Sequence, residues 1–137
     1  MTTRQLAAGL EIGNLCDVGL KRQDKPNQDA VGLVLPENGE GFSPLLIVAD
    51  GMGGYSGGEI ASRLVIETIT RAHREVQPEK DQEDALVRYL QLAHKAVRAY
   101  AEEHPQVGSM GSAAALAMIV DDTVFIASVG DSRIYLM

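Results

Sequence analysis

The stretch from Asp50 to Gly58, which reads DGMGGYSGG, constrains the fold more than any other part of the chain. It contains five glycines in nine residues. Glycine adopts backbone angles that other residues avoid and lets two backbones approach closely, so this composition predicts an irregular loop. An apolar run at 44–49 precedes the loop, and an amphipathic segment follows it from residue 59. The sequence therefore predicts a buried strand, a glycine-rich loop and a helix in succession.

The rest of the chain divides into strands, then two helices, then strands. Apolar residues that recur every three to four positions predict helices over 59–76 and 81–103, with Asp81 as the N-cap of the second. Short apolar runs predict strands over 12–19, 29–35, 44–49, 112–120, 123–129 and 133–137. This order indicates an α+β fold in which an antiparallel helix pair lies on an antiparallel sheet. Because the helices cover one face only, we expect the other apolar face to require a further layer or to drive self-association.

The charge balance restricts the class of partner. The 137 residues include 12 basic and 19 acidic side chains, for a net charge of −7. Nucleic acids and anionic membrane surfaces are therefore not the expected partners. The sequence contains no run of about 18 apolar residues, so it predicts no membrane-spanning helix. The single cysteine, Cys16, is predicted to be a small buried residue of the first strand, and the composition fits a cytoplasmic location.

Three aspartates lie at the ends of predicted strands, where side chains can converge on one rim of a sheet. Asp29 opens a strand, Asp50 follows the most apolar strand, and Asp131 lies in the break between the last two. Hard cations such as Mg²⁺ and Mn²⁺ prefer oxygen ligands, and the Gly51 carbonyl could add one beside Asp50. The alternative is structural, since aspartates at strand ends are common turn and cap residues. The glycine-rich stretch could equally be a tight turn or a helix entry. It lacks the lysine of a phosphate-binding P-loop and the third glycine of a dinucleotide site.

Several motifs occur together in one order. They are DVG at 17–19, NQD at 27–29, VADGMGGYSGGEIAS at 48–62, MGS at 110–112 and VGDSR at 129–133. In order and spacing they resemble the bacterial branch of the protein phosphatase 2C family of metal-dependent serine/threonine phosphatases. The resemblance implies a four-layer α-β-β-α sandwich with a metal centre at one rim. It also implies that residues 1–137 are the N-terminal portion of a single phosphatase domain whose C-terminal part is absent.

The same resemblance implies a chemistry and a set of site residues. The family hydrolyses phosphoserine and phosphothreonine in proteins with a water activated by two Mn²⁺ or Mg²⁺ ions, and bacterial relatives hold a third. By motif, Asp50 would bridge two metals and the Gly51 carbonyl would bind one of them. Asp29 would reach metal directly or through water, and Asp131 would help to hold the third ion. A phosphorylated protein is the expected partner.

The chain departs from the family pattern at three points. Asp24 stands where the family has a phosphate-binding arginine, so Arg22 or Lys25 is the expected substitute. Many eukaryotic members have a histidine directly after the Asp-Gly pair. This chain has Met52 there, and in this it is like the bacterial relatives. The chain also reaches only just past the GDSR motif, about half of the family domain. We therefore expect this chain alone to be weakly active or inactive, with a non-catalytic, pseudophosphatase-like binding module as the alternative.

Overall fold

A computed structural model of the chain describes residues 2–5, 11–18, 26–37, 40–54, 56–75 and 81–137. Strands and helices alternate in blocks, as the sequence predicts. The elements are β1 (Thr2–Gln5), β2 (Glu11–Asn14), β3 (Asp29–Val34), β4 (Leu45–Gly53), α1 (Gly57–Glu75), α2 (Gln82–Glu103), a short 3₁₀ helix (Pro105–Val107), β5 (Met110–Val120) and β6 (Thr123–Val129).

The strands form a four-stranded sheet in the order β3-β4-β5-β6, in which every pairing is antiparallel. A separate antiparallel pair is formed by β1 and β2. Both helices pack on the larger sheet and against each other. The predicted α+β fold is therefore confirmed, including the antiparallel pairing of the strands around 29–35 and 44–49.

The core lies between the helices and one face of the four-stranded sheet. Alternate residues of β4 point into it, beginning with Leu45 and Ile47, which are almost fully buried. They meet apolar residues of both helices, among them Ile69 of α1 and Leu86 of α2. Burial of each such side chain contributes about 1.5–3 kcal/mol, so this layer holds the helix pair on the sheet.

Among the described residues, no helix packs on the opposite face of the four-stranded sheet. The register places the intervening side chains on it in rows across the strands. We call this surface the open face, and its apolar members are Val31, Leu33, Leu46, Val48, Ala115, Ala117, Ile119, Val124 and Ile126. A cavity of about 190 Å³ lies between part of this face and the end of β2. Val48, Val124 and Ile126 are 47%, 53% and 60% exposed.

The largest error in the sequence interpretation concerns the glycine-rich stretch. Its first four residues are not a loop, because β4 continues through Asp50 to Gly53. The extension pairs in full with β5, from the Asp50–Ala113 pair to the Gly53–Met110 pair. Glycine has a low strand propensity, but propensity describes a residue without its partners. Pairing with β5 therefore outweighs it here.

Two further predictions are wrong at the ends of the described sheet. The first predicted strand ends at Asn14, and Cys16 is exposed rather than buried in it. Residues 133–137 form no strand, although they are a short and mainly apolar run. Within the described residues, no helix has both the length and the apolar character that a membrane crossing requires.

Candidate metal centre

Two carboxylates meet where β3 and β4 pair. Asp29, the first residue of β3, lies directly opposite Asp50 of β4. The Gly51 amide donates a hydrogen bond to the Gln28 carbonyl at 2.9 Å. The Asp29–Asp50 pair is therefore of the non-hydrogen-bonded kind, in which the Cα atoms are about 4.5 Å apart and the side chains share a face. The register thus brings two exposed carboxylates together at one end of the sheet, and we call them the aspartate pair.

The backbone of Asp29 is held by two neighbouring side chains. The Asn27 Oδ1 atom accepts a hydrogen bond from the Asp29 amide at 3.1 Å, and its Nδ2 donates to Cys16 Sγ at 3.2 Å. The Cys16 thiol donates to the Asp29 carbonyl at 3.5 Å. Sequence reasoning missed this role of Cys16, because the contact joins residues 13 positions apart and no local pattern signals it.

Glycines bring the end of β4 against the start of α1. A Cβ atom at Gly51 would overlap the Gly58 carbonyl and lie 2.7 Å from the Gln28 carbonyl oxygen. A Cβ atom at Gly58 would lie 2.9 Å from the Gly51 carbonyl oxygen. Both glycines are buried, so only residues without a side chain fit at this backbone contact. The glycine-rich stretch therefore packs the Gly51 carbonyl, which follows Asp50 directly in the chain, against the first turn of α1.

Ser112 of β5 joins the same end of the sheet. It pairs with Gly51, and its Oγ atom lies 3.1 Å from the Asp50 carbonyl oxygen and 2.7 Å from the Ala113 carbonyl oxygen. A hydroxyl has one proton, so it donates to one of these oxygens at a time. Ser112 was not singled out from sequence, since its MGS motif gave no hint that it contacts the backbone of β4.

Asp131 lies at the same end of the sheet, but not in the aspartate pair. It follows β6, directly after Gly130, whose φ of +90° makes the turn. A Cβ atom at Gly130 would lie 2.6 Å from Ala113 Cβ, so Gly130 sits against β5. Because Ala113 pairs with Asp50, β5 separates Asp131 from the aspartate pair by two strand spacings, roughly 10 Å.

The aspartate pair fits a hard divalent cation by its donor chemistry. Like charges directly opposite each other on neighbouring strands destabilise a sheet, and a cation between them would remove that repulsion. Carboxylate and carbonyl oxygens suit Mg²⁺ and Mn²⁺, and Mg²⁺ keeps several waters of its own. Across the described segments, no group of three or more His, Cys, Asp or Glu residues comes together as a metal site. The pair and the Gly51 carbonyl would therefore supply only part of the octahedral shell of such an ion.

The predicted phosphate-binding residues Arg22 and Lys25 lie outside the described residues. A groove of about 730 Å³ does open beside the same end of the sheet, between α2 and strands β5 and β6. Its lining is mainly apolar, and neither Asp29 nor Asp50 contributes to it. The carboxylate chemistry therefore lies outside this groove.

Comparison with known proteins places the chain in a family. The sequence profile described as protein phosphatase 2C matches residues 19–137. The chain belongs to the protein phosphatase 2C family. The match includes the whole four-stranded sheet, both helices, the aspartate pair, Gly51 and Asp131, whereas Cys16 precedes it.

The proteins that this chain matches include bacterial phosphatases. The serine/threonine phosphatase stp of Listeria innocua is 35% identical over 97 residues, which are 69% of this chain and 38% of that protein. The protein phosphatase PhpP of Streptococcus pneumoniae is 32% identical over 130 residues, which are 93% of this chain and 50% of that protein. The chain thus spans half or less of the length of these relatives.

Solved structures show the same fold. The serine/threonine phosphatase PstP of Mycobacterium tuberculosis aligns with 85% of this chain and 45% of its own, with a TM-score of 0.68 and 30% identity. A structure of the PstP catalytic domain in complex with two manganese ions aligns equally well, with a TM-score of 0.68. The α+β arrangement of this chain is therefore that of a part of the phosphatase fold.

Proposed function

We propose that this chain forms part of the catalytic centre of a metal-dependent protein serine/threonine phosphatase of the cytoplasm. The observation that carries the proposal is the aspartate pair, which sits at the end of the sheet beside a glycine-packed carbonyl. Membership of the protein phosphatase 2C family and the manganese-bound PstP structure support it. Phosphoserine and phosphothreonine in proteins are the proposed substrates, and Mn²⁺ or Mg²⁺ the proposed cofactors.

Each residue has a proposed role. Asp50 and the Gly51 carbonyl bind metal, and Asp29 reaches it directly or through a water. Asp131 would help to hold a third ion, while Arg22 or Lys25 would bind the substrate phosphate. When bound, the cations supply an activated water and neutralise charge on the phosphoryl group. The chain itself holds the two carboxylates in place, since their separation is set by the β3–β4 register.

The test is Asp50→Asn, which removes one carboxylate of the pair and keeps the size of the side chain. We expect the chain to bind Mn²⁺ weakly and the variant to lose at least tenfold in affinity, as outer-shell changes already lose 10–100-fold at metal sites. Free Mn²⁺ measured by electron paramagnetic resonance gives the affinity. Any hydrolysis of a phosphothreonine peptide should disappear together with the metal.

The matched control is Asp122→Asn. It makes the same change of charge on an exposed side chain in the β5–β6 turn, at the opposite end of the sheet. We expect its Mn²⁺ affinity to equal that of the unmodified chain. If Asp50→Asn and Asp122→Asn bind Mn²⁺ equally well, the proposed metal centre is wrong.

A second candidate is a non-catalytic binding module. It is favoured by the small donor set, in which two carboxylates and no third His, Cys, Asp or Glu side chain come together among the described residues. Titration calorimetry with a phosphopeptide distinguishes the binding module from the phosphatase centre. Binding that persists in EDTA, with no hydrolysis at saturating Mn²⁺, supports the module, whereas binding that needs Mn²⁺ supports the phosphatase centre.

A further inference from the structure

Gln28 connects three segments near the aspartate pair, which are the start of β3, the end of β4 and the start of α1. It lies immediately before β3, next to Asp29 in sequence. Its carbonyl accepts a hydrogen bond from the Gly51 amide at 2.9 Å. Its side-chain Nε2 donates to the Gly53 carbonyl at 3.3 Å. One residue therefore holds the β4 backbone at two positions, on either side of Met52.

The Gln28 side chain also fills the space at the start of α1. A Cβ atom at Gly58 would lie 2.8 Å from both Cδ and Nε2 of Gln28. The amide group thus packs directly on the buried first turn of the helix. Gly53 itself has a φ of +156°, and a Cβ atom there would lie 2.8 Å from the Ser109 carbonyl oxygen. The backbone of the segment that the amide holds therefore packs against the start of α1 and against the chain that leads into β5, while Met52 itself is exposed.

We propose that Gln28 is a positioning residue for the metal centre, an inference that rests on the proposed function. Its amide keeps the segment from Gly51 to Gly53 in the extended form that pairs with β5, so that Asp50 stays opposite Asp29. Without the amide donor, the end of β4 has one fewer tie to β3 and more freedom next to the ligands. Loss of preorganisation lowers metal affinity even though Gln28 supplies no ligand, as it does for outer-shell partners at other metal sites.

The test compares Gln28→Met with Gln106→Met. Methionine matches glutamine in length but has no amide N–H, and Gln106 is an exposed residue of the 3₁₀ helix that undergoes the same chemical change. We expect Gln28→Met to weaken Mn²⁺ binding by about tenfold, and Gln106→Met to leave it unchanged. Amide hydrogen exchange adds a readout without metal: protection should fall at Gly51 in Gln28→Met and persist in the buried middle of β4.

A second variant guards against a failure to fold. Gln28→Asn keeps the amide but shortens the side chain by one methylene, so that it no longer reaches the Gly53 carbonyl, and it should also bind Mn²⁺ more weakly. If the unmodified chain binds Mn²⁺ and both Gln28 variants bind it as tightly as the unmodified chain does, the positioning role is wrong and the proposed centre stands. If the unmodified chain binds no Mn²⁺, the proposed centre and the positioning role both fail.

Discussion

His73 is a titratable side chain enclosed in the core, away from the aspartate pair. It is 4% exposed, and its Nε2 lies 2.6 Å from the Ser43 carbonyl oxygen. Nε2 therefore carries a proton that it donates to that oxygen, and Nδ1 accepts from the Tyr89 hydroxyl at 3.1 Å. The neutral ring thus joins α1 to α2 and to the segment before β4. Burial lowers the pKa of His73, aided by the Arg74 charge and opposed by the Ser43 hydrogen bond.

This environment predicts that stability falls in mild acid. Below a pH of about 6.5 the unfolded chain binds a proton at residue 73 that the folded chain does not. The free energy of unfolding therefore decreases as the pH falls from about 6.5 towards the lowered pKa, by at most about 1.4 kcal/mol per pH unit from this group. Urea unfolding between pH 8 and pH 5 measures it. His73→Gln should flatten this slope relative to the exposed control His94→Gln, and equal slopes for the two variants would contradict the prediction.

Helix α2 begins at a cap that the sequence predicts correctly. The Asp81 Oδ1 atom accepts hydrogen bonds from the amides of Glu83 at 2.9 Å and Asp84 at 3.2 Å. These amides have no partner within the helix, and the two acidic residues of the first turn also suit its positive end. A cap is visible in sequence because it depends on residues only two or three positions apart.

Removal of this cap should destabilise the fold without affecting the metal centre. We expect Asp81→Ala to lower the free energy of unfolding by about 1 kcal/mol, because two first-turn amides lose their acceptor. Asp81→Asn is the matched control, since asparagine caps helices about as well as aspartate. Urea unfolding at pH 7 gives both values. An alanine variant as stable as the asparagine variant would show that the cap contributes little here.

Strands are less visible in sequence than helices, because their bounds depend on partners that are distant in the chain. The two helices are confirmed to within two residues at each end, since their 3.6-residue period is a local signal. By contrast, β4 extends into the glycine-rich stretch because β5 pairs with it. Residues 133–137 are a mainly apolar run but do not form a strand. Pattern alone shows which residues can form strands, and pairing decides which of them do.

At the scale of the whole molecule, the sequence predicts that three aspartates lie at one end of the sheet, but not how they are grouped. The grouping follows from register, which places Asp29 opposite Asp50 and leaves Asp131 beyond β5. The contacts of Gln28 and Ser112 depend on the same register and have no local signature. Family motifs therefore suggest residues for the proposed centre, whereas the fold determines which of them lie side by side.

The exposed apolar side chains of the open face predict that the chain self-associates. Val48, Val124 and Ile126 remain about half exposed on the sheet face opposite the helices, and clustered exposed apolar residues typically mark an interaction surface. A second copy that packs its open face on the first would bury these side chains between two helix-covered sheets. We expect the weight-average sedimentation coefficient to rise with protein concentration. Ile126→Lys should suppress that rise, whereas Val87→Lys, an exposed valine on α2, should not. A chain that sediments as a monomer at high concentration would show that the open face does not bind itself.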